Sequence, residues 1–140
     1  MDRDTAQAVS YMGEQVYTWM ETNLSAYNVG FEFLPEKSPA LMLQSEITDP
    51  VLIRYKSGRT VYRYPFALYL RMDNSDTANR IQNQADLQAI ADMFLGATLT
   101  LTGFVLRRIE QDTTVRVMTT EQGMDVCMVT LHVDYERSSS

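Results

Sequence analysis

Apolar and polar positions alternate with a period of two along Arg59–Asp73, and this is the longest such run in the chain. From Tyr62 the even positions are Tyr62, Tyr64, Phe66, Leu68, Leu70 and Met72, and the odd ones are Val61, Arg63, Pro65, Ala67, Tyr69 and Arg71. One face is wholly apolar or aromatic and the other is mixed, which is the signature of a strand with one buried side. Fifteen residues at ~3.3 Å each would reach roughly 50 Å, beyond the usual strand, so the ribbon is expected to project past its own domain. Pro65 cannot donate a ladder hydrogen bond, so the pattern predicts a bulge there or a sheet edge open to a neighbour.

Before this ribbon, Asp4 or Thr5 is expected to cap a helix running to about Leu24, with Ala6, Val9, Met12 or Gly13, Val16, Trp19, Met20 and Leu24 spaced by threes and fours. Phe31 and Phe33 alternate with Glu32 in a short strand ended by Pro35, and Glu36 to Pro39 reads as a turn. Ala40–Glu46 and Val51–Lys56 predict two more strands. The short connection Ser57-Gly58-Arg59 pairs Val51–Lys56 antiparallel with the long run.

Beyond the ribbon, Asp73-Asn74-Ser75-Asp76 ends the strand and caps a helical lead-in from Thr77. Leu87, Ile90, Ala91, Phe94 and Leu95 then fall at helical spacing within Asn83–Leu95, and Gly96 stops that helix. Leu99–Gly103 and Phe104–Ile109 read as strand broken by a bulge at Gly103, and Thr113–Thr119 as another strand. Glu121-Gln122-Gly123 turns the chain into Met124–Glu136. There Met124, Val126, Met128, Thr130 and His132 oppose Cys127, Val129, Leu131, Val133 and Tyr135. Both faces are largely apolar, so this strand belongs in the middle of a sheet. The pattern predicts one α+β domain over residues 1–140, a mixed, mostly antiparallel sheet packed by an N-terminal helix and one central helix, with 137–140 as a flexible tail.

Composition narrows the chemistry. The chain has 140 residues, 45% of them apolar and 21% charged, which excludes wholesale disorder. A net charge of −6 argues against a general nucleic-acid binder, because phosphate affinity comes from clustered Lys and Arg. One cysteine, Cys127, and one histidine, His132, provide neither a disulfide framework nor a zinc cluster. No run approaches the ~20 apolar residues of a membrane span, and the N-terminus lacks the form of a secretion signal.

Each candidate for chemistry has a plainer reading. Arg54, Lys56, Arg59, Arg63 and Arg71 interleave with Tyr55, Tyr62, Tyr64 and Tyr69, as in a surface that stacks on single-stranded nucleic acid. The plainer reading is a hairpin whose solvent face is basic, with aromatic residues present as good strand formers, and if the patch has a partner, an acidic face of another subunit fits it better than nucleic acid. Asp73–Asp76 has oxygen ligands for a divalent cation, yet Ala78 stands where a calcium loop needs glycine. Glu110, Gln111 and Asp112 read as a polar turn, His132 as a hydrogen-bonded core group, and Cys127 as a small buried side chain. No constellation supplies a nucleophile, a base and an oxyanion donor, so the expectation is no enzyme, no catalytic residue, no cofactor and no metal.

The order of elements, with the aromatic strand Tyr64-Pro-Phe-Ala-Leu-Tyr-Leu-Arg-Met72, the helix Asn83–Phe94 and the closing strand Met128–Tyr135, resembles the tail-terminator proteins of long-tailed bacteriophages, often described as minor capsid or head–tail joining proteins. The resemblance spans nearly the whole chain and lies in element order and apolar pattern. It implies a structural virion protein that forms a homohexameric ring, caps the tail tube protein, offers its other face to a head-completion (stopper) protein, and lets DNA pass without binding it. It implies residence in the virion tail or neck after assembly in host cytoplasm. Tyr62, Arg63, Tyr64, Tyr69 and Arg71 are the expected subunit-interface residues. Another phage neck component, or a small-molecule-binding α+β domain, are the alternatives.

Overall fold

The computed structural model of the chain describes residues 2–46, 49–73, 77–121 and 124–138. Helix α1 spans Arg3–Asn23, strand β1 Asn28–Phe31, β2 Ala40–Ser45, β3 Val51–Arg54 and β4 Thr60–Asp73. Helix α2 spans Thr77–Leu95, followed by β5 Phe104–Gln111, β6 Arg116–Glu121 and β7 Met124–Arg137. The strands form one sheet in the order β1-β2-β4-β7-β5, with β3 also paired to β4 and β6 also paired to β7. Only the β1–β2 pair is parallel; the others described are antiparallel. This is the expected α+β architecture.

The two long strands form its centre. β4 and β7 pair from Val61↔Glu136 to Asp73↔Met124, and both are long because each serves two partners on its far side. β3 and then β2 line one flank of β4, and β5 and then β6 line the outer flank of β7. The ribbon therefore stays inside its own sheet, and Pro65 marks neither a bulge nor an edge. Within a strand, the N–H and C=O of one residue point to the same side. The Pro65 carbonyl accepts from the Glu46 amide at 2.9 Å, so the missing N–H points into the gap between β2 and β3, where no ladder bond is required of it.

Both helices lie on the sheet face formed by Tyr62, Tyr64, Phe66, Leu68 and Leu70 of β4 and Cys127, Val129, Leu131, Val133 and Tyr135 of β7. From α1, Ala8, Met12, Val16 and Met20 enter this core; from α2, Leu87, Ile90, Ala91 and Phe94 do. Leu95 and Ala6, expected inside, face out. The cap of α1 is Asp2, whose carboxylate accepts from the Thr5 amide at 2.7 Å; Asp4 lies in the first turn instead. That contact holds the Asp2 carboxyl below its usual range. Gly58 has φ +92, the left-handed conformation that a tight β3–β4 turn asks of glycine.

Several expected boundaries move. β1 ends at Phe31, leaving Phe33 outside it. Residues 97–103 form a connection and not a strand, although Leu99 still packs into the core, and the register shift falls between Leu106 and Arg108 and not at Gly103. Glu110 and Gln111 belong to β5 and not to a turn. β6 starts at Arg116 because Thr113 binds β7 by its side chain, Oγ1 accepting from the Thr130 amide at 3.0 Å. The supposed free tail is bound at its start: Arg137 ends β7 and donates to the Asp4 carbonyl at 2.9 Å, and the Ser138 amide donates to Gly103 at 3.0 Å. The expected cap and cation ligands Asn74, Ser75 and Asp76, and the turn at Gln122-Gly123, lie outside the described residues.

Candidate assembly surface

Alternation in β4 sends the five expected interface residues to opposite sides of the sheet. Tyr62 and Tyr64 point under α1, at 4% and 1% exposure, so the chain itself encloses them. The Tyr64 hydroxyl lies 2.5 Å from Ser45 Oγ, and burial pushes its pKa up. Arg63, Tyr69 and Arg71 share the other face, opposite the helices, and all three are half-buried. The Arg71 guanidinium donates to the Pro35 carbonyl, which ties the β1–β2 connection across that face.

Near the end of β7 the antiparallel register places carboxylates against the arginines of this face, although Arg71 stands opposite Val126 and meets none among the described residues. Arg63 is opposite Asp134 and grips it with two bonds, Nε to Oδ1 at 2.8 Å and Nη2 to Oδ2 at 3.0 Å. This grip raises the Arg63 pKa further above its already high value. Arg108 of β5 approaches the same carboxylate from the other side at 3.4 Å. Glu136 is held between Arg59 at 2.9 Å and Arg107 at 2.7 Å. Asp134 is 1% exposed, so these arginines neutralise charge that the fold has taken out of water. The basic outer face of the hairpin is therefore partly spent within the chain: Arg59 and Arg63 meet acids of their own β7.

His132 sits on this face too, opposite Pro65 and 5% exposed. Its Nδ1 lies 2.7 Å from Asp112 Oδ1, and its Nε2 is 3.9 Å from Glu110 and 3.8 Å from Asp134. It is a hydrogen-bonded buried group whose neighbours are carboxylates. Among the described residues no group of three or more His, Cys, Asp or Glu side chains could hold a metal ion. Cys127 is buried on the helix side, where burial pushes its thiol pKa up. Among the described residues no helix is long and apolar enough to cross a membrane.

The open surface is elsewhere. Residues 52–59, the end of β3 and the turn into β4, are all exposed, including Leu52, Ile53 and Tyr55. Arg59 lies over the Tyr55 ring at 4.2 Å. On the β1 flank a groove of about 540 Å³ runs between α1 and the strand end, lined by Val9, Gly13, Glu14, Tyr17, Phe31 and Phe33 among others. Phe31 and Phe33 are 42% and 59% exposed.

Comparison with solved structures gives a chain from the virion of a native gene transfer agent particle. It is similar at a TM-score of 0.56 with 16% identity, over 93% of each chain. The likeness shows the fold. A second solved chain matches at a TM-score of 0.51 and 15% identity, over 100% of this chain and 98% of that one. No family model matches the sequence, and no curated protein does.

Sequence reasoning found Arg63 but missed its partners. Asp134 and Glu136 do not stand out in the sequence because β7 reads as apolar on both faces. The available signal was their alternation at the end of a long strand, together with Arg59 and Arg63 at the start of the other. The Phe31/Phe33 groove was missed because two aromatic residues flanking a glutamate read equally well as an ordinary half-buried strand.

Proposed function

We propose that the chain is a structural component of a phage-like virion, a tail terminator whose copies form a ring that caps the tail tube and joins the tail to the head. The observation that carries this is the shared fold with a gene transfer agent virion chain, end to end over 93% of both chains. The tail-terminator resemblance in element order points the same way. Two further features support an assembly role. Large apolar side chains remain exposed at Phe31, Phe33, Leu52 and Ile53, more than a free surface needs. Charge near the centre of the sheet is used up in internal pairs, which suits a scaffold more than a site that acts on a substrate. In this reading no catalytic residue, cofactor or metal takes part, and DNA passes the ring without specific contact, as the net charge of −6 favours. The expected partners are other copies of this chain, a tail tube protein and a head-completion protein.

The test is absolute mass by light scattering behind size exclusion over a wide concentration range, with and without purified tail tubes, and electron microscopy of the tube ends. A hexamer, or a monomer that gathers into a ring at tube ends, supports the proposal. A monomer that leaves tubes uncapped refutes it and moves attention to the grooves as ligand sites.

A further inference from the structure

Two exposed surfaces of this molecule are complementary in polarity and charge. The first protrudes: the β3–β4 hairpin, exposed throughout 52–59, carries Leu52, Ile53 and Tyr55 beside Arg54, Lys56 and Arg59. It also borders a concavity of about 600 Å³ to which Arg3 and Arg137 contribute. Asp2, 3.9 Å from Arg54, and Asp4 line that concavity as well, but Arg3, Arg54, Arg59 and Arg137 outnumber them, so the hairpin end is net basic within a chain of net charge −6.

The second surface recedes. Phe33 lines both the 540 Å³ groove and an adjoining one of about 440 Å³. Glu14 lines the first and Glu21 the second, two helical turns apart on one side of α1. Glu32 lies between the two phenylalanines and Glu36 follows them in sequence. No ion pair to Glu14, Glu21 or Glu36 is formed among the described residues. The result is an aromatic groove with an acidic rim whose Glu14 and Glu21 form no ion pair among the described residues.

We propose that the β3–β4 hairpin of one copy docks in the acid-rimmed Phe31/Phe33 groove of the next. Tyr55, Leu52 and Ile53 cover the two phenylalanines, and Arg54 and Lys56 meet Glu14 and Glu21. The contact joins two different patches, so it runs head to tail and closes into a ring or propagates, as rotation between copies dictates. This deepens the ring reading above by naming the surfaces that make it. The apolar centre provides affinity, and the charges fix register and exclude the mismatched pairings hairpin to hairpin and groove to groove.

The test is a charge swap. Arg54→Glu with Lys56→Glu reverses the hairpin, and Glu14→Lys with Glu21→Lys reverses the groove; all four side chains are exposed, and thermal melts verify that each variant folds. Mass is measured in solution, and on tail tubes if the wild type needs them to assemble. Either double variant alone is expected to associate roughly a hundredfold more weakly, like charges now facing each other. An equimolar mixture of the two, and the fourfold variant alone, are expected to regain assembly, because opposite charges face again. Double variants that assemble as well as the wild type, a fourfold variant or mixture that stays apart, or a wild type that never self-associates each overturn the docking. Rings that form by this docking yet leave tail tubes uncapped would refute the terminator reading and leave the docking intact.

Discussion

The Tyr135 hydroxyl donates to the carbonyl of Ala8 at 2.7 Å, in the core, across 127 positions of sequence. It joins the closing strand to the first helix, and the Tyr135 ring stacks obliquely on Tyr62 at 5.6 Å and meets Phe104 edge-on at 5.6 Å. Burial raises its pKa well above the ordinary 10.0, and Tyr64 is raised in the same direction by the same cause. Both groups bind their protons more tightly folded than unfolded. Their contribution is complete below pH ~10 and is lost as pH rises from there toward their folded pKa values. Tyr135→Phe is expected to cost about 1 kcal/mol at neutral pH, since the Ala8 carbonyl keeps its second lone pair for the helix. It is also expected to make the decline in stability above pH 10 shallower. Urea titrations at neutral and at alkaline pH read both effects; an unchanged alkaline slope would rule out Tyr135 as its source.

Arg63 and Asp134 make a prediction that sets a buried pair against an exposed one. Arg63→Met leaves the carboxylate of Asp134 buried with the more distant Arg108 and the His132 ring beside it. The expected loss is about 2 kcal/mol, largely kept in 1 M salt because water and ions do not reach the carboxylate. The Arg54–Asp2 pair, at 3.9 Å and mostly in solvent, is expected to contribute nothing measurable, so Arg54→Met serves as the control. Equal midpoints for the two variants in urea would contradict the account of Asp134.

Gly13 faces the Tyr64 hydroxyl, and a Cβ at residue 13 would lie 3.1 Å from that oxygen. The oxygen cannot retreat easily, being bound to Ser45. Gly13→Ala should gain ~1 kcal/mol of helix propensity and lose about as much to crowding, for a net change near zero. Gly13→Val should lose roughly 2 kcal/mol, because its extra methyl groups must push α1 off the sheet. Thermal melts of the pair discriminate: a stabilising valine would mean that α1 sits more loosely on Tyr64 than the structure shows.

Much of the fold was legible because it is written in local periodicity. The alternation in β4 and β7 and the three-and-four spacing of Met12, Val16 and Met20 or of Leu87, Ile90 and Phe94 place one apolar face per element, and burying such faces leaves few arrangements for two helices and one sheet. The Ser57-Gly58-Arg59 connection gave its hairpin for the same reason, as turn geometry acts over a few residues.

What stayed hidden depends on which strand becomes whose neighbour. A long ribbon with a proline reads as an edge until one knows that β2 and β3 share its flank and leave a gap opposite Pro65. Tyr62 and Tyr64 fall on the apolar face by alternation, and only α1 laid over them decides that their own chain, and not a neighbouring copy, covers them. The sequence alone determined the elements, their apolar faces and the α+β class, because those follow from interactions spanning one or two turns. That Arg63 meets Asp134, 71 positions away, and that Phe31 and Phe33 stand in a groove rimmed by glutamates, follows from the packed sheet and helices together. Register across a sheet is set by all the strands packing at once, and no single segment carries that information.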